Sequence, residues 1–193
     1  QHASFDKVDE EMQVFWDKKS AYFRGDEESA ADVYQRAGIY SEFGKIICIS
    51  AGFIHPENGV RTFREKSYYG DDEVHLLKSF ASMLEKFEAS GGKYLCGHNS
   101  REFDIPYIAR RMLINGICLP DSLDLSGKKP WEVRHIDTMD LWKFGDYKHF
   151  TSLALLAQIF KIPTPKDDID GSQVAEVYYK DKDIERIAKY CEK

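Results

Sequence analysis

The apolar run Ile46-Ile47-Cys48-Ile49, inside Lys45–Ile54, constrains the fold of this chain more than any other feature. A short continuous apolar run without helical period describes a strand covered on both faces. Pro56-Glu57-Asn58-Gly59 follows with turn-forming residues, and Val60–Tyr69 reads as a more exposed, charged second strand. The pair predicts an antiparallel hairpin, which no all-helical architecture accommodates.

Periodicity places helices around it. Val8, Met12, Phe15 and Trp16 predict an amphipathic helix over residues 8–19, and a short helix is expected around Asp32–Ala37. Asp71 and Asp72 can cap a helix whose apolar face is Val74, Leu77, Phe80, Ala81, Leu84 and Phe87, stopped by Gly91-Gly92. Lys93–Gly97 reads as a short strand. Ile105, Ile108, Ala109 and Met112 mark a helix ended by Asn115-Gly116. Residues 117–132 have no period, and a loop that long is usually functional or mobile. Val133–Thr138 reads as another strand. Leu153–Phe160, apolar nearly all round, is expected to be deeply packed. Pro163-Thr164-Pro165 breaks it, and a final helix carries Ile184, Ile187, Ala188 and Cys191 on one face. The order of elements predicts one α/β domain over residues 1–193, a mixed sheet flanked by helices.

A length of 193 residues suffices for a sizeable core, and 42% hydrophobic with 31% charged residues is ordinary for a globular protein. The net charge of −6 excludes a wholly basic nucleic-acid coat but not an enzyme that holds cations in carboxylates. Cys48, Cys96, Cys118 and Cys191 form no C-x-x-C pair, so zinc and redox motifs are poorly supported. Apolar surroundings at Cys48, Cys96 and Cys191 predict buried, reduced thiols in a reducing compartment such as the cytoplasm. No run has the length of a membrane span.

Chemistry concentrates in Asn99-Ser100-Arg101-Glu102-Phe103-Asp104-Ile105-Pro106-Tyr107. A strand ends near Gly97, a polar turn follows, and a helix opens near Asp104 with Pro106 in its first turn. Asp104 therefore sits at a strand-to-helix edge, where α/β sheets gather ligands. Taken alone it could be no more than a helix cap. The whole string, however, resembles the second exonuclease motif of the proofreading domains of family B DNA polymerases, Asn-x-x-x-Phe-Asp-x-Pro-Tyr. Asn99, Phe103, Asp104, Pro106 and Tyr107 match it. The resemblance implies a ribonuclease H-like fold in which four carboxylates hold two divalent metals, Mg2+ or Mn2+. It makes Asp104 a metal ligand and places Asn99 and Phe103 along the terminal nucleotide. Two such metals, roughly 4 Å apart, lower the pKa of the attacking water and neutralise the leaving oxygen. Hard cations of this kind take oxygen ligands.

Members of the tyrosine-containing (DEDDy) type finish with Tyr-x-x-x-Asp. Tyr190 matches the tyrosine, and the aspartate would be the residue after Lys193. The same resemblance calls for Asp-x-Glu on an early apolar strand. Asp9-Glu10-Glu11, Asp26-Glu27-Glu28 and Asp71-Asp72-Glu73 have that spacing but lie in helical or polar segments. The chain is similar to free-standing bacterial exonucleases of this kind. It reads as one cut between its first motif and the last residue of its third, lacking the central strand and weak as a nuclease by itself.

Other residues stay open between structure and function. Asp137 reads as a loop or cap residue ahead of a ligand, and His98 as a phosphate contact or a turn histidine. Lys128, Lys129, Trp131, Arg134, Lys143, Lys148 and His149 form a basic and aromatic cluster suited to single strands, or else a solvated loop around a buried Trp. Arg186, one helical turn before Tyr190, could reach the same cleft. The expected activity is 3′–5′ removal of nucleotides from single-stranded DNA ends, with Asp104 and Tyr190 catalytic and Asn99, Phe103 and His98 binding substrate. RNA is the alternative substrate, and a non-catalytic nucleic-acid-binding module of the same fold is the alternative function. No membrane partner is expected.

Overall fold

A computed structural model describes residues 2–57, 59–146, 150–163 and 168–192. Expectations at Asn58, Lys148, His149, Thr164 and Pro165 lie outside the described residues. The chain is mixed α/β and divides into two compact units, Gln1–Asp71 with Asp168–Glu192, and Asp72–Asp167.

The first unit begins with an aromatic core. Helix α1, Glu10–Ser20, is capped by Asp9, whose carboxylate accepts from the Glu11 N–H. Its buried face delivers Trp16 into a cluster with Val8, Ala30, Val33, Tyr34 and Ala37. Residues Tyr34–Ile39 form a 3-10 helix where a short helix was expected. Strands β1, Cys48–Glu57, and β2, Val60–Tyr69, make the predicted antiparallel hairpin, with Ser50 opposite Ser67 and Ile54 opposite Phe63.

Burial of β1 on both faces is not observed. The strand starts two residues later than the apolar run, and its outer half is open, with Ile54 67% exposed. A strand is enclosed only where something packs on each face, and helix α7, Ile184–Cys191, packs against this hairpin. One turn of helix, α6 at Val174–Glu176, continues into a π turn over Val177–Asp181. Ile169, Val177 and Ile187 form the buried centre here, flanked by Ile47, Cys48, Tyr190 and Cys191. Lys45 Nζ donates to the Asp71 carbonyl at 2.6 Å, and the Tyr178 hydroxyl donates to the Asp71 carboxylate at 2.7 Å. Burial first, then the Asp71 carboxylate, pushes the Tyr178 hydroxyl up to about 12.

The second unit is organised by helix α2, Glu73–Ala89, whose Leu76, Leu77, Phe80, Ala81 and Leu84 are buried. Its cap is Asp72, which accepts from the His75 N–H at 2.9 Å. Strands β3, Leu95–Gly97, and β4, His135–Asp137, pair in parallel, with Gly97 opposite Asp137. Helix α3, Asp104–Ile114, follows β3 and ends before Gly116, whose φ of +66° suits the left-handed turn. Helices α4, Thr138–Lys143, and α5, Leu153–Ile159, complete the unit.

Inside it lies an ion pair that apolar patterning does not reveal. Arg111 of α3 donates from Nε to Glu73 Oε1 at 2.9 Å and from Nη2 to Glu73 Oε2, and both residues are buried. Asn115 Nδ2 adds a bond to Glu73 Oε2 at 3.2 Å and another to the Arg111 carbonyl.

Two further expectations are corrected. Helix α5 is not deeply packed, because only the face carrying Leu156 and Ala157 is covered while Leu153, Leu155 and Ile159 stand exposed. All four cysteines are free, but Cys96 and Cys118 are exposed and Cys48 and Cys191 are half-buried. Short strands leave one face of each residue uncovered, so apolar neighbours in sequence did not enclose Cys96. Among the described residues no helix is long and apolar enough to cross a membrane.

Candidate functional site

The segment singled out by its motif occupies the turn between β3 and α3. Gly97 closes the strand, and a Cβ there would lie 2.6 Å from the Ser100 side chain, so only glycine lets the turn fold back this closely. Asn99 follows with a φ of +60°, a left-handed conformation that asparagine tolerates better than most residues. The Asn99 carbonyl accepts from the Phe103 N–H at 3.1 Å and the Ser100 carbonyl from the Ile105 N–H at 2.9 Å, winding the chain into α3.

Asp137, buried at the end of β4, holds this turn. Its carboxylate accepts from the N–H groups of Asn99 at 2.8 Å, Arg101 at 3.0 Å and Met139 at 3.0 Å. It thus braces the 99–101 turn and caps α4 at once. Burial pushes its pKa up, but the backbone donors of Arg101, Asn99, Met139 and Asp140 outweigh burial and hold it below the ordinary 3.8. The sign follows from linkage. A carboxylate depressed in the fold stabilises it above the unfolded value, and that stability is lost as pH falls through the folded value. Asp137→Asn is therefore expected to lower stability by about 2 kcal/mol at neutral pH, the scale of hydrogen bonds to a charged group. In urea melts, the gap between the two proteins should close as pH drops below 3.8. A gap independent of pH would refute the assignment.

His98 is a second clasp. Its Nε2 donates to the Thr151 carbonyl at 2.8 Å, and its Nδ1 lies 3.0 Å from the Thr138 hydroxyl. The ring thereby ties the end of β3 to the start of α4 and to the approach to α5.

Asp104 is the first residue of α3, preceded by the cap position Phe103, so it is not itself the cap. The residue is exposed, yet protein crowds its carboxyl. That burial pushes its pKa up, its own backbone N–H opposes the shift, and the like charge of Asp137 adds to it. Phe103 is 44% exposed, its ring 5.8 Å from that of Tyr107. The buried Asn99 Oδ1 has no hydrogen-bond partner among the described residues. A solvent-facing ring, an acceptor without a donor and a carboxylate thus share one turn. Alongside it, Arg101 Nη1 and Lys143 Nζ both reach Asp140, at 3.3 Å and 3.1 Å, and Lys143 also lies over the Phe150 ring.

Tyr190 belongs to the first unit, half-buried on α7, and a Cβ built on Gly171 would lie 3.7 Å from its hydroxyl. Arg186 is engaged by Asp168 through two nitrogens and by Asp181 at 3.4 Å. Within the basic cluster, Lys128 donates to the Asp121 carbonyl and Lys129 sits 5.3 Å from the Trp131 ring. Trp131 is 77% exposed, so it does not bury as the centre of its loop; Leu123 does.

Among the described residues no three His, Cys, Asp or Glu side chains gather to hold a metal ion. Asp104 offers hard carboxylate oxygen, which suits magnesium or manganese, but the oxygens of Asp137 are engaged by backbone N–H groups. These two residues do not by themselves complete a cation site. Sequence reading missed the double duty of Asp137. An aspartate just ahead of a helix is legible as a cap, but its bonds to residues 99 and 101 depend on parallel pairing across 38 and 36 positions.

A parallel strand pair feeds the motif turn into a helix with a carboxylate at its head. The family model for predicted 3′–5′ exonucleases related to the exonuclease domain of PolB matches residues 39–193, and the chain belongs to that family. A DNA polymerase of Pyrococcus glycovorans is 24% identical over 131 residues, covering 61% of this chain and 16% of the polymerase. The chain thus matches a minor part of that relative's length.

Proposed function

We propose that this protein is a metal-dependent 3′–5′ exonuclease of ribonuclease H-like fold that removes nucleotides from single-stranded DNA ends. The observation that carries the reading is Asp104 at the head of α3, its carboxylate crowded and facing the like charge of Asp137. A divalent cation relieves that penalty, and carboxylates held against their own preference mark functional sites. When bound, the cation supplies charge neutralisation at the phosphate and a more acidic water. The chain's own residues place the strand end. Phe103 offers an exposed ring for the terminal base, Asn99 lines the same turn as the second substrate contact, and His98 anchors the turn that presents both. Arg101 and Lys143 add positive charge beside the turn. Tyr190 orients the attacking water in this reading, as its place in the motif implies.

The test is turnover of a 5′-labelled single strand by the intact natural protein. A ladder shortened from the 3′ end, stopped by chelator, is the expected result. Asp104→Asn should reduce turnover roughly 100-fold or more, the scale of losing one preorganised charge-stabilising group. The same substitution should leave the fold as stable or slightly more so at neutral pH. A carboxylate whose pKa is raised in the fold destabilises it above that value, and amide replacement removes the penalty. Undiminished turnover by Asp104→Asn, or shortening from the 5′ end, defeats the proposal. Phe103→Ala should weaken binding of the strand by about 1–3 kcal/mol, as loss of one stacking platform does. Matched RNA and DNA strands assign the sugar through their 2′-hydroxyl difference.

One observation favours a second reading, a nucleic-acid-binding module without catalysis: no metal-holding cluster gathers among the described residues. Strand binding that survives with no turnover at any divalent cation selects it.

A further inference from the structure

Outside this site, two thiols from distant parts of the sequence meet at the base of the hairpin. Cys48 opens β1, and Cys191 is the last residue of α7. Both belong to the edge of the cluster around Ile169, Val177 and Ile187. Side chains two apart share a strand face, so Cys48 and Ser50 point the same way. Ser50 Oγ lies 2.7 Å from Ser67 Oγ, and the Ser67 hydroxyl donates to Glu192 Oε1 at 2.6 Å. That chain of contacts fixes the end of α7 on this face of the hairpin. Cys48 Sγ lies 4.0 Å from Ser50 Oγ, and with α7 packed on β1 the Cys191 side chain adjoins it on the same cluster, both cysteines half-buried and within reach of small reagents.

We propose that Cys48 and Cys191 form a reversible dithiol–disulfide pair, closed by a low-molecular-weight disulfide, that fastens α7 to β1. The inference stands apart from the exonuclease reading. The roles of the two sulfurs differ. Cys191 donates its S–H, which holds the Cys48 thiol below its ordinary range, while Cys191 retains its proton and is pushed up. The negative charge of Glu192 opposes ionisation of either one. Cys48 is thus the attacking thiolate and Cys191 the resolving thiol.

Cys48 sulfur displaces one thiolate from the small disulfide, and that thiolate takes up a proton. Cys191 then loses its proton as its sulfur displaces the second thiolate from Cys48. The protein loses two electrons and two protons, and the small disulfide becomes two thiols. Closure joins the two sequence segments of the first unit, and a cross-link spanning so much chain restricts the unfolded state strongly. In a reducing compartment such a pair is transient and responsive, not a permanent staple.

The test equilibrates the intact protein with graded mixtures of oxidised and reduced glutathione, then maps its peptides without reduction. A Cys48–Cys191 cross-link within one chain, lighter by two hydrogens and free of glutathione, is expected, and it should raise the melting temperature. The exposed Cys96 and Cys118 are expected to carry single glutathione adducts. Cys191→Ser should trap glutathione on Cys48 as a stable mixed disulfide. Separate adducts on Cys48 and Cys191, or both remaining thiols while Cys96 and Cys118 react, would overturn the proposal.

Discussion

Arg111→Met is expected to cost roughly 3–5 kcal/mol of stability, because it strands the Glu73 carboxylate in the second unit's interior. The two residues are buried and bound through two parallel N–H···O contacts, with Asn115 as a third donor. Most of the loss comes from the charge left behind and little from the attraction removed. Glu73→Met with Arg111→Met should accordingly recover much of the stability that the single variant loses, since apolar pairs of similar volume often replace buried ion pairs without penalty. Urea unfolding of the parent, the single variant and the double variant at one pH measures this. A double variant less stable than Arg111→Met would mean that the pair is a net source of stability. A single variant close to the parent would mean that solvent reaches Glu73.

The second large effect is expected in the first unit. Trp16 is fully buried, and its ring meets those of Phe23, Tyr34, Tyr40 and Phe43 edge-on at centroid distances of 5.9, 5.8, 5.9 and 5.2 Å. Its Nε1–H donates to the Ala30 carbonyl at 2.8 Å. Trp16→Ala removes the ring on which the others are arranged and should cost about 3–5 kcal/mol, the usual range for such truncation. Trp16→Phe keeps a ring but abandons the Ala30 acceptor, so a loss of about 1–3 kcal/mol is expected. Amide hydrogen exchange distinguishes this from general unfolding. Protection of α1 and the 3-10 helix at Tyr34–Ile39 should fall while α2 keeps its own. Equal loss in both units would show that they unfold as one.

Much of the architecture is legible in the sequence because local chemistry dictates it. The hairpin follows from an apolar run, a turn and a charged run. The helices α2 and α3 follow from periodicity between an aspartate at one end and glycine at the other. Neither β1 nor α5 is as deeply packed as its apolar run predicts, and the reason is shared. A strip of apolar residues shows that a face can be buried, but not that another element arrives to cover it. Ile54, Leu155 and Ile159 are such residues, apolar and exposed.

The motif turn divides along the same line. Its string of residues is sufficient by itself to place Asn99, Phe103 and Asp104 together and to indicate the family, since nine consecutive positions need no tertiary contact to be read. Its geometry is another matter. Asp137 reaches Asn99 and Arg101 only because β3 and β4 lie parallel, and His98 reaches Thr138 and Thr151 only when α4 and the approach to α5 come alongside. The burial and like charge that push the Asp104 carboxyl up, the Asn99 and Arg101 N–H donors that help hold Asp137 down, and the meeting of Cys48 with Cys191 are all long-range. Periodicity and spacing carry information about neighbours along the chain. Electrostatic environment and thiol pairing depend on distances in space, and for this protein only the tertiary structure decides them.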